Sequence, residues 1–118
     1  MAPFPHASEL VTITVRITRL TQEQETVIEG DLEVTLTWGE IFVSLAEEIL
    51  FGTGKLLRSS IPSNHSAHFI GYDRDRIGAR LFGWGLVVIE DGRPRSLTEY
   101  GQKQYGLLME PFRATLTV

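Results

Sequence analysis

The clearest pattern in the chain is a strict alternation of apolar and polar residues near its start. Over residues 10–19, β-branched aliphatic residues alternate with threonine and arginine, which predicts a strand with one aliphatic face. Residues 26–36 form a second extended stretch after a polar turn, and Gly30-Asp31 within it predicts a bulge or a tight turn. Two such stretches joined by a short polar loop predict an antiparallel pair. Residues 1–8 contain two prolines and no period, which predicts a flexible N-terminal arm before a single domain over 9–118.

The pattern changes to a helical period at Thr37. Thr37 and Glu40 have the spacing of a capping box, in which each side chain accepts a hydrogen bond from the other residue's backbone N–H. The apolar positions that follow lie on one helical face: Trp38, Ile41, Phe42, Leu45 and Ile49. The polar positions lie on the other: Glu40, Ser44, Glu47 and Glu48. Because Gly52 and Gly54 come next, the helix is predicted over 38–51.

The second half of the chain alternates short helical and extended patterns. Residues 55–60 predict a short helix, and a further helix is predicted from Pro62 to about residue 71. Asp73 is the predicted N-cap of the next helix, whose inward residues are Ile77, Leu81 and Trp84. An apolar strand over 86–90, a hairpin turn at Asp91-Gly92 and a short strand over 95–97 follow. Thr98 caps a last helix that Pro111 is predicted to end, and residues 113–118 predict a weak strand.

The order of these elements over residues 73–109 carries a resemblance. A helix ends in Gly83-Trp84-Gly85-Leu86-Val87, a hairpin follows, and Leu97-Thr98-Glu99-Tyr100-Gly101 opens the next helix. This order resembles winged helix-turn-helix domains, whose recognition helix ends in a Gly-Leu-Val phrase and whose wing runs into a Leu-Thr-x-x-Gly helix. The resemblance covers residues 38–110. It implies an α+β, winged-helix-like fold, here with an additional N-terminal antiparallel β-hairpin.

Composition and charge narrow the function classes. The chain has 118 residues, no cysteine and a net charge of −4, and 42% of it is hydrophobic, which is enough for one core. No apolar run approaches the roughly 20 residues of a membrane span, and no signal peptide is evident, so we expect a soluble cytoplasmic protein. Residues 1–70 carry four basic and nine acidic side chains, whereas residues 71–118 carry seven and six. The negative total therefore does not exclude nucleic acid.

Two functions follow from the resemblance. The first is a non-enzymatic module for protein–protein interaction or self-association, with strand 10–19 as a sheet edge that pairs with a partner or a second copy. The alternative is a transcriptional regulator that reads duplex DNA with helix 74–83 and wing 86–97. The residues that the alternative implies as DNA contacts are Arg74, Arg76, Arg80, Arg93, Arg95 and Lys103.

The motifs of common catalytic and cofactor sites do not match this sequence. Gly52-Thr53-Gly54-Lys55 lacks the earlier glycine and the following Ser or Thr of a phosphate-binding loop. His65 and His68 have helical spacing but too few companion ligands for zinc, so no metal is expected. We expect no enzyme, no catalytic residue, no cofactor and no small-molecule ligand.

Overall fold

The computed structural model describes residues 2–52 and 65–116, which form three helices and two antiparallel sheets. Strands β1 (Leu10–Leu20), β2 (Thr26–Thr37) and β3 (His65–Phe69) form one sheet in the order β2-β1-β3. Strands β4 (Val87–Glu90) and β5 (Arg93–Leu97) form the other. The helices are α1 (Trp38–Phe51), α2 (Gly71–Gly83) and α3 (Glu99–Leu116). The predicted α+β class and N-terminal hairpin are confirmed; the helix predicted over 55–60 lies outside the described residues.

The N-terminal hairpin is long and contains one bulge. β1 and β2 pair from Leu10 opposite Thr37 to Leu20 opposite Thr26, and the register shifts between Ile17 and Thr18. The partner of Ile17 is Gly30, whose φ of 145° is a conformation that side-chain-bearing residues rarely adopt. Of the two predicted alternatives the structure has a bulge rather than a tight turn, and it lies at Glu29-Gly30, because Ile17 pairs with Gly30 and Thr18 with Ile28.

Strand β1 lies inside its sheet, so the prediction that strand 10–19 forms a sheet edge is wrong. Residues 15–19 of β1 pair with β3 on the side away from β2. At residues 12–14 of β1, just before the segment that pairs with β3, side chains from α2 form hydrogen bonds with the same edge of the strand. The backbone N–H of Thr14 donates to Asp73 Oδ2 at 2.7 Å, and Arg76 Nη2 donates to the carbonyl of Thr12 at 3.1 Å. Pairing therefore satisfies the outward groups of this strand within the chain.

Two further predictions around this edge need correction. Asp73 is not the N-cap of α2: the cap is Ile70, without a side-chain hydrogen bond, and the Asp73 carboxylate instead serves β1. Residues 65–69 form strand β3 rather than part of a helix begun at Pro62. The free edge of β1 provides hydrogen-bond partners for an extended segment there, and the pairing buries Phe69, so tertiary contacts override the local pattern.

Helix α1 is the centre of the core. The capping box is confirmed, since the Glu40 N–H donates to Thr37 Oγ1 at 3.1 Å and the Thr37 N–H donates to Glu40 Oε1 at 3.0 Å. The helix ends at Gly52 with a φ of 79°, as predicted. The predicted polar face is wrong at Ser44 and Glu47, which are buried because α1 contacts β2 as well as β5 and α3.

The N-terminal arm packs on this core. Phe4 is 2% exposed, and its N–H donates to Oε1 of the buried Gln104 at 2.8 Å. The carbonyls of Ala7 and Glu9 accept from the first backbone N–H groups of α1, which have no partner within the helix. The composition of residues 1–8 predicts a flexible arm, but these contacts tie it to α1 and α3.

Helix α3 begins at the predicted cap and passes the predicted stop. The Gly101 N–H donates to Thr98 Oγ1 at 2.9 Å. A Cβ at Gly101 would lie 2.0 Å from the carbonyl oxygen of Leu86, so only glycine permits this approach of α3 to the start of β4. The helix continues through Pro111 to Leu116, which overturns both the stop and the strand predicted at 113–118 as far as Leu116. Proline removes one helical hydrogen bond, but its φ is compatible with a helix.

Candidate functional site

The β4–β5 hairpin stands beside α2 and is joined to it by a tight turn. Gly85, with a φ of 75°, redirects the chain from the end of α2 into the hairpin. Asp91 and Gly92 have φ values of 53° and 73°, the two positive angles that a two-residue type I′ turn requires. The predicted hairpin turn at Asp91-Gly92 is confirmed. Because β4 and β5 both contact α2, the position of the hairpin against this helix is fixed by packing.

The outward face of α2 is apolar and acidic rather than basic. Ile77 and Leu81 are fully buried, as predicted. A helix turns by about 100° per residue, so position 82 lies roughly 140° around the helix from position 77. Phe82 is accordingly 57% exposed. Asp75 and Ala79 are exposed beside it on the same face.

A groove of about 550 Å³ separates this face of α2 from the hairpin, and we call it the α2–hairpin groove. Its apolar lining comes from Gly78, Ala79, Phe82, Ile89 and Pro94. Arg74, Asp75 and Gly92 complete it. A Cβ at Gly78 would lie 3.1 Å from Pro94 Cγ, so the glycine lets the hairpin approach the helix closely enough to form the groove.

Half of the basic residues that the DNA alternative requires are engaged by acidic neighbours. Arg74 lies 3.7 Å from Glu48, Arg76 lies 3.2 Å from Asp73, and Lys103 lies 3.5 Å from Glu99. These pairs are exposed to different degrees, and surface pairs of this kind contribute about 0–1 kcal/mol each.

The other half are exposed and have no acidic side chain within 4.0 Å in the described part of the chain: Arg80, Arg93 and Arg95. The structure does not bring the six residues together on one face. Arg74 and Arg76 lie about 160° apart around α2, on its two flanks. Lys103 belongs to α3, and Arg93 and Arg95 belong to β5.

The far end of the N-terminal hairpin carries a second group of exposed apolar residues, surrounded by charge. The exposed apolar residues are Leu20, Val27, Ile28 and Leu32. Arg16 Nε donates to Asp31 Oδ1 at 3.0 Å, and this hydrogen bond lowers the pKa of Asp31 and raises that of Arg16. The hydrogen bond from Arg19 likewise lowers the pKa of Glu29.

Sequence reasoning missed two residues that matter to these surfaces. Phe82 is one of several apolar residues in α2, but it lies about 140° around the helix from the buried Ile77 and is therefore on the outside. The spacing of the two residues in the sequence is sufficient to predict this. Gln104 clamps the arm from the middle of α3, and nothing in the local pattern marks a glutamine for that role, since its partners lie about 100 residues away in sequence.

Neither a metal centre nor a membrane-spanning helix is present among the described residues. Within residues 2–52 and 65–116, no group of three or more His, Asp or Glu side chains has a geometry suited to a metal ion. Among the described helices, none combines the length and hydrophobicity that a membrane span requires. Comparison with known proteins finds no matching family model, no matching curated protein and no matching solved structure.

Proposed function

We propose that this chain is a small, non-enzymatic binding and assembly module of winged-helix type, which acts in the cytoplasm through protein–protein contacts at the α2–hairpin groove. The observation that carries the proposal is the 57% exposure of Phe82 on the outward face of α2. In the proposed fold this is the face of the recognition helix, and it presents a phenylalanine, an alanine and an acid where a DNA reader needs basic and amide side chains. An exposed aromatic beside an apolar groove is typical of a protein interface.

The winged-helix assignment is part of the proposal and rests on the order of α2, hairpin and α3. The Leu-Thr-x-x-Gly phrase has a physical role here, because Thr98 caps α3 and Gly101 permits its contact with Leu86. The turn at Asp91-Gly92 gives the hairpin the twist that packs it against α2. These three features together support the assignment.

The occupant that we propose for the groove is a second copy of this chain. Symmetric dimers use one patch twice, so a residue that contacts another is contacted by it in return. The groove carries one charge of each sign, since Arg74 and Asp75 both line it. Across a two-fold axis Asp75 of one copy can meet Arg74 of the other, because the contact of Arg74 with Glu48 is long, at 3.7 Å, and half-exposed, and such surface pairs contribute only about 0–1 kcal/mol. Gly78 and Ala79 are small enough for Phe82 of a second copy to pack over them.

The N-terminal hairpin is a less suitable surface for self-association. Strand β2 is an edge of its sheet, but it carries Glu29, Asp31 and Glu33. Arg19 and Arg16 partly neutralise Glu29 and Asp31, so the repulsion between two copies of this strand comes mainly from Glu33, which has no basic side chain within 4.0 Å in the described part of the chain. The groove, with one charge of each sign, has no such penalty.

Sedimentation equilibrium of the purified chain tests the proposal. Phe82→Ser removes two phenylalanines from a symmetric interface, and each can bury there only the 57% of its surface that is exposed in the free chain. Full burial of an exposed phenylalanine is worth about 1.5–3 kcal/mol, so the dissociation constant should rise at least about 10-fold. Phe51→Ser is the matched control, because Phe51 is 63% exposed and lies outside the groove. A chain that stays monomeric at millimolar concentration, or a dimer that Phe82→Ser does not weaken, contradicts the proposal.

The alternative function, duplex DNA binding by helix 74–83 and wing 86–97, rests on Arg80, Arg93 and Arg95, which are exposed and unpaired in the described part of the chain. Three phosphate contacts give a slope of about −3 in a plot of log K against log salt. The alternative predicts this slope in a fluorescence anisotropy titration with a labelled duplex, and weaker binding by Arg80→Ala and Arg93→Ala. Binding that is absent at micromolar protein, or insensitive to salt, rules it out.

A further inference from the structure

A second depression, of about 370 Å³, lies on the flank of α2 that faces the N-terminal arm. Arg76 and Arg80 line it from one side of α2, and Trp84, the residue that follows the last residue of this helix, lines it beside them. Trp38 at the start of α1 and His6 and Glu9 of the arm line the opposite wall. We call this depression the tryptophan pocket, since both tryptophans of the chain line it.

The aromatic wall of the pocket is held in place by several contacts. The His6 ring stacks on Trp84 with the ring centres 4.6 Å apart, and Trp38 meets Trp84 edge-on at 5.0 Å. Gln104 anchors the arm behind them, because its Nε2 donates to the carbonyl of Ala2 at 3.0 Å while its Oε1 accepts from the N–H of Phe4. The pocket is therefore largely formed before any ligand arrives, which lowers the entropy cost of binding.

The charges around the pocket leave one guanidinium available. Arg76 is engaged by Asp73 and by a carbonyl of β1, and Glu9 contacts the His6 ring. Arg80 is exposed and has no acidic side chain within 4.0 Å in the described part of the chain. A guanidinium pairs with a carboxylate through two parallel hydrogen bonds, and an apolar wall beside it strengthens the pair by excluding water.

We propose that the tryptophan pocket binds a carboxylate attached to a flat apolar group, with the carboxylate on Arg80 and the apolar group against Trp84. His6 stacks on the Trp84 indole and Phe4 lies 5.7 Å from it, so the apolar group of the ligand packs against the part of this partly exposed ring that they leave uncovered. A carboxylate fits better than a phosphate, because Glu9 at the rim repels a doubly charged ligand more than a singly charged one. Both a free aromatic acid and the C-terminus of a peptide ending in an aromatic residue present this chemistry.

Intrinsic fluorescence of the whole chain reports on this site directly, since both tryptophans belong to it. With excitation at a wavelength selective for tryptophan, titration with 3-phenylpropionate is expected to give a saturable change. The neutral 3-phenylpropanamide should bind at least about 10-fold more weakly. Acetyl-Gly-Gly-Phe with a free C-terminus should also bind, and its amidated form should not; tighter binding by the peptide than by the free acid identifies a C-terminus as the source.

The variant Arg80→Gln should weaken binding of 3-phenylpropionate at least about 10-fold, while Arg93→Gln, which removes the same charge from the β4–β5 hairpin, should not. Far-UV circular dichroism of both variants checks that they remain folded. Equal binding of acid and amide, equal binding of inorganic phosphate, unchanged binding by Arg80→Gln, or no saturable change at about 10 mM of either carboxylate probe overturns the proposal. Dimerisation through the α2–hairpin groove is a separate matter, because Arg80 does not line that groove.

Discussion

Replacing Gly101 with alanine tests how closely α3 packs against the hairpin. The new Cβ would lie 2.0 Å from the carbonyl oxygen of Leu86 and 2.9 Å from its carbonyl carbon. Both of these are backbone atoms of a residue that is fully buried, so no flexible side chain can move aside. The start of β4 and the first turn of α3 must therefore separate by more than about 1 Å to restore ordinary van der Waals contact.

The expected loss of stability follows from three contributions. Overpacking of this kind costs about 1–3 kcal/mol, and occasionally more. The separation also weakens the hydrogen bond from the Thr98 N–H to the Leu86 carbonyl, now 3.2 Å long, which is worth about 1 kcal/mol. Alanine returns up to about 1 kcal/mol through its higher helix propensity. The net destabilisation should be about 1–3 kcal/mol.

Gly106→Ala is the matched control on the same helix, because a Cβ there meets no atom within 4 Å. Only the propensity gain applies to it, so this variant should be up to about 1 kcal/mol more stable than the parent. Urea unfolding followed by circular dichroism measures both variants. If Gly101→Ala lies within about 0.5 kcal/mol of the parent, or changes in the same direction as the control, the reasoning about this contact is refuted.

Three further predictions concern the contacts that join distant parts of the chain. Asp73→Ala removes the acceptor for an amide of β1 and should cost about 1–3 kcal/mol in urea unfolding. Gln104→Leu removes both hydrogen bonds to the N-terminal arm, so limited proteolysis should cut the arm faster than in the parent. The pKa of Asp31, measured by NMR, should lie below the ordinary aspartate value of about 3.9, because Arg16 donates a hydrogen bond to the charged carboxylate. The contribution of this carboxylate to stability is fully present above the ordinary pKa and is lost as pH falls through the lower pKa of the folded state.

Each of these predictions has its own control. Glu23→Ala removes an exposed carboxylate from the turn between β1 and β2 and should change the free energy of unfolding by less than about 0.5 kcal/mol. Gln102→Leu replaces an exposed glutamine of α3 and should leave proteolysis of the arm unchanged. Arg16→Gln should return the pKa of Asp31 toward its ordinary value. If a control variant changes the measured quantity (free energy of unfolding, rate of proteolysis or pKa of Asp31) in the opposite way to that stated here, the contact under test does not cause the effect assigned to it.

The elements predicted correctly from the sequence are those whose signals are local. The capping box of Thr37 and Glu40, the glycine stop at Gly52 and the Asp91-Gly92 turn each depend on residues within a few positions of one another. The structure contains all three as predicted. In the same way, the alternation over residues 10–19 was sufficient to predict β1.

The predictions that failed depended on partners distant in sequence. Asp73 has the local pattern of a cap, but its carboxylate accepts from an amide 59 residues earlier. Residues 65–69 are extended because β1 offers them an unpaired edge, which no window of local sequence reveals. The helical period puts Glu47 on a polar face, but α1 contacts β2, β5 and α3, so this side chain is buried.

The candidate site was predicted only in part for the same reason. The sequence located α2 and the hairpin, but it grouped six basic residues by their position in the chain. Glu48 engages Arg74 from another helix, a contact that depends on the fold, whereas Asp73–Arg76 and Glu99–Lys103 are i,i+3 and i,i+4 pairs within one helix. The exposure of Phe82 moves the proposed protein contact from strand 10–19, which lies inside its sheet, to the α2–hairpin groove.

Sedimentation equilibrium of the parent chain beside Phe82→Ser and Phe51→Ser tests the central claim most directly. The account predicts a concentration-dependent dimer for the parent and for Phe51→Ser, and a dissociation constant raised at least about 10-fold for Phe82→Ser. A parent chain that remains monomeric at millimolar concentration, or a dimer that all three proteins share equally, would contradict it.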